Sequence, residues 1–532
     1  MRANKLGLAF IVLLAALCVA GTATAKDKVR AGGTLNVDLT TDVDYTDPAL
    51  SYLSTGWELE YATGLKLMNY PDGLGPRTSQ LVPEAAAGFP RVSNGGKTYD
   101  FTIATNYTRF SDGSKVTAAS FKAAFARNAD PKMQSPAGAF MSDVVGASRS
   151  PVSGVKVKGN HLIVTLTKPA PDFLARVAMP FFAAIPASTP RDPNGVLTLP
   201  SAGPYYIASR VPNKSIVLKR NPYYKGKRPH NASQIVYTVG NSLDATFLRV
   251  QQGSTDYAAG GIPPASYAEA AQKYGINKGQ FWVQPLLSTS YLAFNTSRGI
   301  FKNNVALRRA VNQVIDRRAL LSQSGYLAGK RTDQILPPGM AGFRDADLYP
   351  LKQPNIAAAK KLAKGHTGDG NVVLYESNRG ASPLRAQIIQ YNLQQIGLKV
   401  DTRLYSRAVQ LEKEGTRGEP FDIADESWGA DYADPYDFIN VLLDGRNFQD
   451  SNNNNFAYFN DPKFNKEMTQ ASLMSGPSRY KAYGNLDVSI MQQGVPWAPR
   501  SNANNRMLVS KRTGCFAYSA IYTVDLAALC LK

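Results

Sequence analysis

Apolar and polar residues alternate at Leu35, Val37 and Leu39, which predicts a strand behind the Gly32-Gly33 leader. Alternation recurs in 98–103, and 155–157, 162–166, 216–218, 235–239, 372–375 and 398–404 read as further strands. Gly159-Asn160 joins two of these runs as a hairpin turn. Helical spacing predicts helices over 55–67, 118–128 (capped by Thr117), 244–252 (closed by Gly253), 305–321 and 383–396 (closed by Gly397). Asp47-Pro48 and 110–114 read as turns, and 452–455 as a polar loop. Strands alternating with helices over most of the chain imply an α/β architecture with mixed sheets. No short fixed period repeats, which argues against a solenoid or propeller.

One apolar run approaches membrane length, and it lies at the start. Arg2 and Lys5 precede an apolar stretch over 6–20, and Ala23-Thr24-Ala25 follows as a small-residue cleavage site. This predicts a signal peptide over 1–25, cut after Ala25, rather than a membrane anchor. Cys18 is preceded by Leu17, unlike a lipoprotein signal, where a small residue stands. The expected location is therefore the periplasm or cell envelope of a bacterium.

Length and composition fit that address. With 532 residues, 44% hydrophobic and 19% charged, the chain fills several domain-sized cores and is not wholly disordered. Loss of Arg2 and Lys5 lowers the formal net charge from +20 to +18. No Lys/Arg block dominates, so the basic charge reads as a dispersed solvated surface. Export argues against nucleic acid as a partner. Cleavage also removes Cys18 and leaves Cys515 and Cys530, read as a disulfide or as two buried thiols.

Several blocks, in order, resemble one family. They are Gly32-Gly33-Thr34-Leu35 with Asp47-Pro48, Leu81-Val82-Pro83-Glu84, Phe110-Ser111-Asp112-Gly113 with Val116-Thr117-Ala118, and Gly203-Pro204-Tyr205. There follow Leu218-Lys219-Arg220-Asn221-Pro222-Tyr223-Tyr224, Tyr291-Leu292-Ala293-Phe294-Asn295-Thr296 and Leu307-Arg308-Arg309-Ala310. The last are Gln394-Gln395-Ile396-Gly397-Leu398 and Trp428-Gly429-Ala430-Asp431-Tyr432-Ala433-Asp434-Pro435. Together they make the chain similar to the extracytoplasmic solute-binding proteins of ABC importers, family 5, the peptide, opine and nickel class. The resemblance implies a bilobed, periplasmic-binding-protein-like α/β fold with a hinge. Domain I is expected to be discontinuous (26–64, 198–291 and 498–532), with an extra domain II over 65–197 and domain III, the second lobe, over 292–497. It also implies a monomeric, non-enzymatic receptor that needs no cofactor. Such a receptor captures a short peptide or related solute between its lobes and delivers it to a membrane permease.

By the same resemblance, Asp431 pairs with a ligand's α-ammonium group, a charge-assisted contact. Trp428 and Tyr432 supply flat walls, and the main chain of 427–430 (Ser427, Gly429 and Ala430 among them) and of 52–55 pairs with an extended ligand. Tyr52, Ser54, Trp57 and Tyr291 complete the candidate set. Some oligopeptide binders carry an arginine three residues before the tryptophan, and here that position is Asp425. A ligand carboxylate therefore needs another cation, for which Arg379, Arg385 and Arg417 are candidates. The cluster Asp425, Glu426, Asp431, Asp434 and Asp437 favours instead a cationic ligand. Oligosaccharide and metal-chelate ligands are further possibilities within the family.

Two other classes fit less well. An exported hydrolase of the Ser-His-Asp type needs a base beside its nucleophile. His161, His230 and His366 all read as loop or hairpin residues, and no G-x-S-x-G occurs. Ser478-Arg479-Tyr480-Lys481 fits S-x-x-K but lacks its companion motifs and reads as a helix surface. No metal-ligand spacing is present. An envelope-polymer-binding protein is favoured only by the basic charge.

Overall fold

A computed structural model describes residues 32–73, 76–104 and 109–532. The export segment 1–25, the cut after Ala25 and Cys18 lie outside the described residues.

Three sheets carry the architecture. In the first, Thr34–Leu39 lies between Gln234–Val239 and Tyr257–Ala258, parallel to both. Ser215–Arg220 and Tyr205–Val211 extend it antiparallel. Leu35, Val37 and Leu39 are buried, as their alternation predicts, and they share a core with Ile216, Leu218, Ile235 and Tyr237. A parallel pair needs a crossover, and here that crossover is long enough to hold a second unit. Its sheet is antiparallel throughout, in the order Arg91–Ser93, Thr98–Thr102, His161–Thr165, Val155–Lys158. Lys158 pairs with His161 across the predicted turn, where Gly159 takes φ +60°. Gly203 returns the chain to the first sheet. A side chain there would meet the Thr63 carbonyl oxygen at 2.4 Å, so only glycine permits the approach.

The third sheet has seven strands. Its path is Phe281–Pro285, Trp497–Leu508, Ser288–Phe294, Ile423–Gly429, Asn371–Ser377, Lys399–Tyr405, with Gly329–Arg331 paired to the long strand Trp497–Leu508. The expected domain limits at 291/292 and 497/498 fall inside two of these strands. The tail divides likewise. Residues up to Leu508 belong to the third sheet, whereas Val524, Leu526 and Leu529 pack into the core of the first. The structure joins Cys515 to Cys530, with their Cα atoms 5.4 Å apart.

Two helices differ from the periodicity. The 305–321 pattern is broken into Val305–Val314 and Arg317–Ser322. Asp316 starts the second by accepting a hydrogen bond from the Ala319 amide at 2.9 Å. The buried Arg317 side chain then donates to the carbonyls of Thr332, Pro499 and Asn312. Those backbone acceptors hold the kink, and none is visible in a helical period. The first helix runs Ser54–Thr63, ending where the Gly64 amide donates to the Glu60 carbonyl. The asparagine loop at 452–455 is a loop, yet Asn453 and Asn455 are buried and bonded to main-chain oxygens of Gly415 and Phe459.

Candidate functional site

The first wall of the site is built by short-range polar contacts. Asp47 accepts from the Ala49 amide and pairs with buried Arg127, which ties the turn to the helix Ala118–Asn128. Asp44 accepts from the amides of Tyr52 and Leu53 at 2.6 and 2.9 Å. Tyr52 is thereby held just before the helix Ser54–Thr63. Its ring lies among Trp57, Phe181 and Phe140, with centroids at 5.9, 6.0 and 6.4 Å. Tyr52 keeps 42% of its surface open, because it faces a cavity.

Its neighbours are placed differently from expectation. Trp57 is buried and donates its indole N–H to the Ser51 carbonyl, so it backs Tyr52 rather than facing a ligand. Ser54 opens the helix and lines a separate cavity of about 230 Å³ beside Glu58. The 52–55 main chain offers no strand edge, since two amides are taken by Asp44 and the next residues are helical. Tyr291 is also a correction. It is 1% exposed and stacks on Trp497 at 3.6 Å, inside the core of the third sheet.

The opposite wall is the strand Ile423–Gly429 and the turn after it. One edge of this strand pairs along its whole length with Ser288–Phe294. The other edge pairs with Asn371–Ser377 only at Ile423 and Ala424. Among the described residues, 425–429 therefore has an edge with no strand partner. Ser427 and Trp428 line the cavity there, whereas Gly429 and Ala430 do not, and the Ala430 amide is taken by the Leu287 carbonyl.

The acidic cluster resolves into paired and unpaired members. Asp425 is fully buried between Arg500 and Arg385, at 2.9 and 3.0 Å. Glu426 is paired with Arg407, and Asp434 with Arg479 at 2.6 and 2.8 Å. Asp437 has no cation among the described residues. It accepts from the Trp428 indole at 3.2 Å and from the Asp431 amide at 3.0 Å, folding the turn upon itself. Among the described residues Asp431 has only the Tyr52 hydroxyl, 3.0 and 3.1 Å from its two oxygens. Burial pushes the Asp431 carboxyl up to about 7, and the Tyr52 hydrogen bond opposes this. Burial and the adjacent Asp431 charge also raise Asp437 well above the carboxylate range.

The turn is held across the gap as well. The buried Tyr432 donates its hydroxyl to Asp172 at 3.1 Å and meets Phe140 edge-on. The Ala433 amide donates to the Tyr70 hydroxyl at 3.1 Å. Between the walls lies a cavity of about 1020 Å³, bounded by Tyr52, by parts of 136–176 and by parts of 407–473. It brings together Tyr52, Ser427, Trp428, Asp431 and Tyr432. Sequence reasoning missed Phe140, Lys168, Asp172, Arg176 and Arg407, which also line it. Only the four-residue spacing of Asp172 and Arg176, an ion pair at 3.1 Å, left a trace in the sequence. Arg379, Arg385 and Arg417 do not line it. Arg385 is committed to Asp425 and Glu376, and the other two are exposed elsewhere.

His161 lies on a strand beside Asp100, at 2.8 Å, in the 91–165 sheet. Ser478 and Lys481 are exposed on the helix Gly476–Ser489, and the Ser478 hydroxyl donates to the Ser475 carbonyl. Among the described residues no group of three or more metal-binding side chains converges. No described helix is long and apolar enough to cross a membrane.

Known proteins share this architecture. The family model described as "Bacterial extracellular solute-binding proteins, family 5 Middle" matches residues 80–450. The chain is 26% identical over 486 residues to the periplasmic oligopeptide-binding protein OppA of Salmonella typhimurium, covering 85% of each. It is 27% identical over 445 residues to the probable D,D-dipeptide-binding periplasmic protein DdpA of Escherichia coli, covering 82% of this chain and 81% of that one. Among solved structures, the clavulanic acid biosynthesis oligopeptide binding protein 2 superposes with a TM-score of 0.86 at 24% identity, over 94% of this chain and 96% of that one. The chain belongs to the bacterial extracellular solute-binding proteins, family 5.

Proposed function

We propose that this protein is the substrate-binding component of an ABC importer, exported to the periplasm or cell envelope, and that it captures a short peptide between its two lobes. The observation that carries this reading is Asp431, a carboxylate that among the described residues has no cation, lying in a large cavity beside a strand edge that has no partner there. An α-ammonium group gives Asp431 its counter-ion. The backbone of an extended peptide adds to this edge at Ser427 and Trp428, where the strand lines the cavity, a mode indifferent to side-chain identity. Trp428, Tyr432 and Phe140 enclose the side chains without fixing them. The oligopeptide- and dipeptide-binding relatives support the same ligand class. The strands Ser288–Phe294 and Trp497–Leu508, which run through the expected domain limits, serve as the hinge. The protein acts as a monomer, passes its peptide unaltered to a membrane permease and performs no catalysis.

Thermal unfolding with tripeptides, and with oligosaccharides of similar size, tests this reading. A ligand selective for the folded state adds about 2.7 kcal/mol at a hundredfold excess over Kd. A shift with tripeptides, which mass spectrometry recovers intact, is expected. A shift with oligosaccharides alone, or cleavage of the bound peptide, contradicts it.

A further inference from the structure

Another groove, of about 740 Å³, shares no lining residue with the peptide cavity. Arg318, Arg331 and Lys352 line it, against one carboxylate, Asp347. Arg318 and Lys352 are exposed and Arg331 is half-buried. Among the described residues none of the three has an ion pair or a side-chain hydrogen bond. The segments that carry them are clasped by the residue next to Arg318. Arg317 is buried and donates to the carbonyls of Thr332 and Pro350, both at 3.1 Å. The chain beside Arg331 and the chain just before Lys352 are thereby drawn onto the helix Arg317–Ser322. Asp333 tightens the clasp by accepting from the Tyr349 amide at 2.8 Å. Arg317 itself has no ion pair among the described residues, so the groove and its clasp gather four cations against two carboxylates, Asp333 and Asp347.

We propose that this groove is a binding site for a phosphate-bearing anion, either a phosphomonoester in solution or the phosphate of a lipid headgroup. A carboxylate presents two oxygens in one plane and is served by a single guanidinium. A phosphate ester carries up to two negative charges and presents its oxygens around a tetrahedron, so several cations share it. Arg318 and Arg331 supply planar forks, and Lys352 supplies a mobile point charge on a flexible stem. The clasp by Arg317 holds the three segments together before any ligand arrives, which lowers the cost of ordering them. Asp347 opposes the anion and sets a limit on its affinity. Because the groove is open, binding weakens as salt rises. The inference is independent of the peptide reading, since no residue of the peptide cavity takes part.

The test is calorimetric titration with glycerol 3-phosphate and with succinate, at one ionic strength, alongside co-sedimentation with phosphatidylglycerol and phosphatidylcholine vesicles. The wild type is expected to bind the phosphate ester about tenfold more tightly than succinate, which carries the same charge on two separate carboxylates. Arg318→Gln, Arg331→Gln and Lys352→Gln combined abolish that binding and leave tripeptide affinity unchanged. Asp347→Asn tightens the ester by about threefold. The double variant Arg318→Gln with Lys352→Gln alters exposed side chains only. It is expected to unfold at the wild-type temperature and to weaken the ester about fivefold. Binding of the ester in solution supports the proposal with a soluble ligand. Retention on phosphatidylglycerol but not phosphatidylcholine vesicles, lost in the triple variant and without a response to the ester, supports it with a headgroup. Equal affinity for ester and succinate, unchanged binding in the double and triple variants, or binding of neither ester nor vesicles overturns it.

Discussion

The hydroxyl of Tyr52 spans both carboxylate oxygens of Asp431, at 3.0 and 3.1 Å, across 379 positions of sequence. It is a contact between the two walls of the cavity, made at the group assigned to the ligand. Tyr52→Phe removes the only hydrogen bond that the described residues make to that carboxylate. A bond to a charged group is worth about 1.5–3 kcal/mol, less here because Tyr52 is partly open. The variant is expected to bind peptide about tenfold more weakly at neutral pH, measured by calorimetry.

The pH dependence of binding follows from Asp431. Its carboxyl is pushed up to about 7 by burial, so below that pH the unliganded site is increasingly neutral. An ammonium ligand prefers the ionised form. Affinity is expected to fall by up to about tenfold per pH unit as pH drops below 7. In Asp431→Asn the profile over the same range is flat. Affinity measured from pH 5 to 8 on both proteins checks this.

The buried pair of Asp434 and Arg479 anchors the turn that carries Asp431. Removing one partner leaves the other charge uncompensated in the interior. Arg479→Met is expected to cost about 3–5 kcal/mol of stability in denaturant unfolding. It is also expected to weaken peptide binding, because the Asp434 carboxylate that caps the Tyr436 amide at 2.9 Å loses its partner.

Glu58 gives a stability signature far from the peptide. Burial raises its carboxyl from 4.5 to about 8, against hydrogen bonds from Thr523 and Tyr257. The unfolded chain ionises this group near 4.5, while the folded chain keeps the proton. Its contribution is therefore complete below about 4.5, declines as pH rises and is gone above about 8, with a slope of up to about 1.4 kcal/mol per pH unit. Relative to the wild type, Glu58→Gln is expected to gain stability progressively from pH 5 to 8 and then to level off.

The disulfide closes a loop with a separation of 15 residues. Constraint of the unfolded chain by such a loop is worth about 3 kcal/mol. Cys515→Ser with Cys530→Ser is expected to lower unfolding stability by about that amount. Peptide affinity is expected to stay unchanged, because neither residue lines the cavity.

What the sequence revealed was local. Alternation located the strands at Leu35, Val37 and Leu39, and glycine marked the end of the helix at Gly253, which takes φ +79°. What escaped was relational. Tyr291 lies on a strand paired along both edges, and alternation does not say which of its faces looks into a cavity. The open edge beyond Ala424 depends on where Asn371–Ser377 stops pairing, a fact of three-dimensional register. The acidic cluster looked uniform because its arginines come from 385, 407, 479 and 500. Only pairing showed that Asp431 is the member of the cluster left facing the cavity without a cation among the described residues. The break at Asp316 was hidden for a similar reason, since a polar residue at helical spacing reads the same as a solvated face.

The decisive measurement is calorimetric binding of one tripeptide with a free amine and with an acetylated amine, to the wild type and to Asp431→Ala. The wild type is predicted to bind the free amine at least tenfold more tightly, and Asp431→Ala to bind both forms at the weaker level. Equal affinity of the wild type for the two forms, or equal losses for both on substitution, would contradict the role of Asp431 as the counter-ion of the ligand's ammonium group.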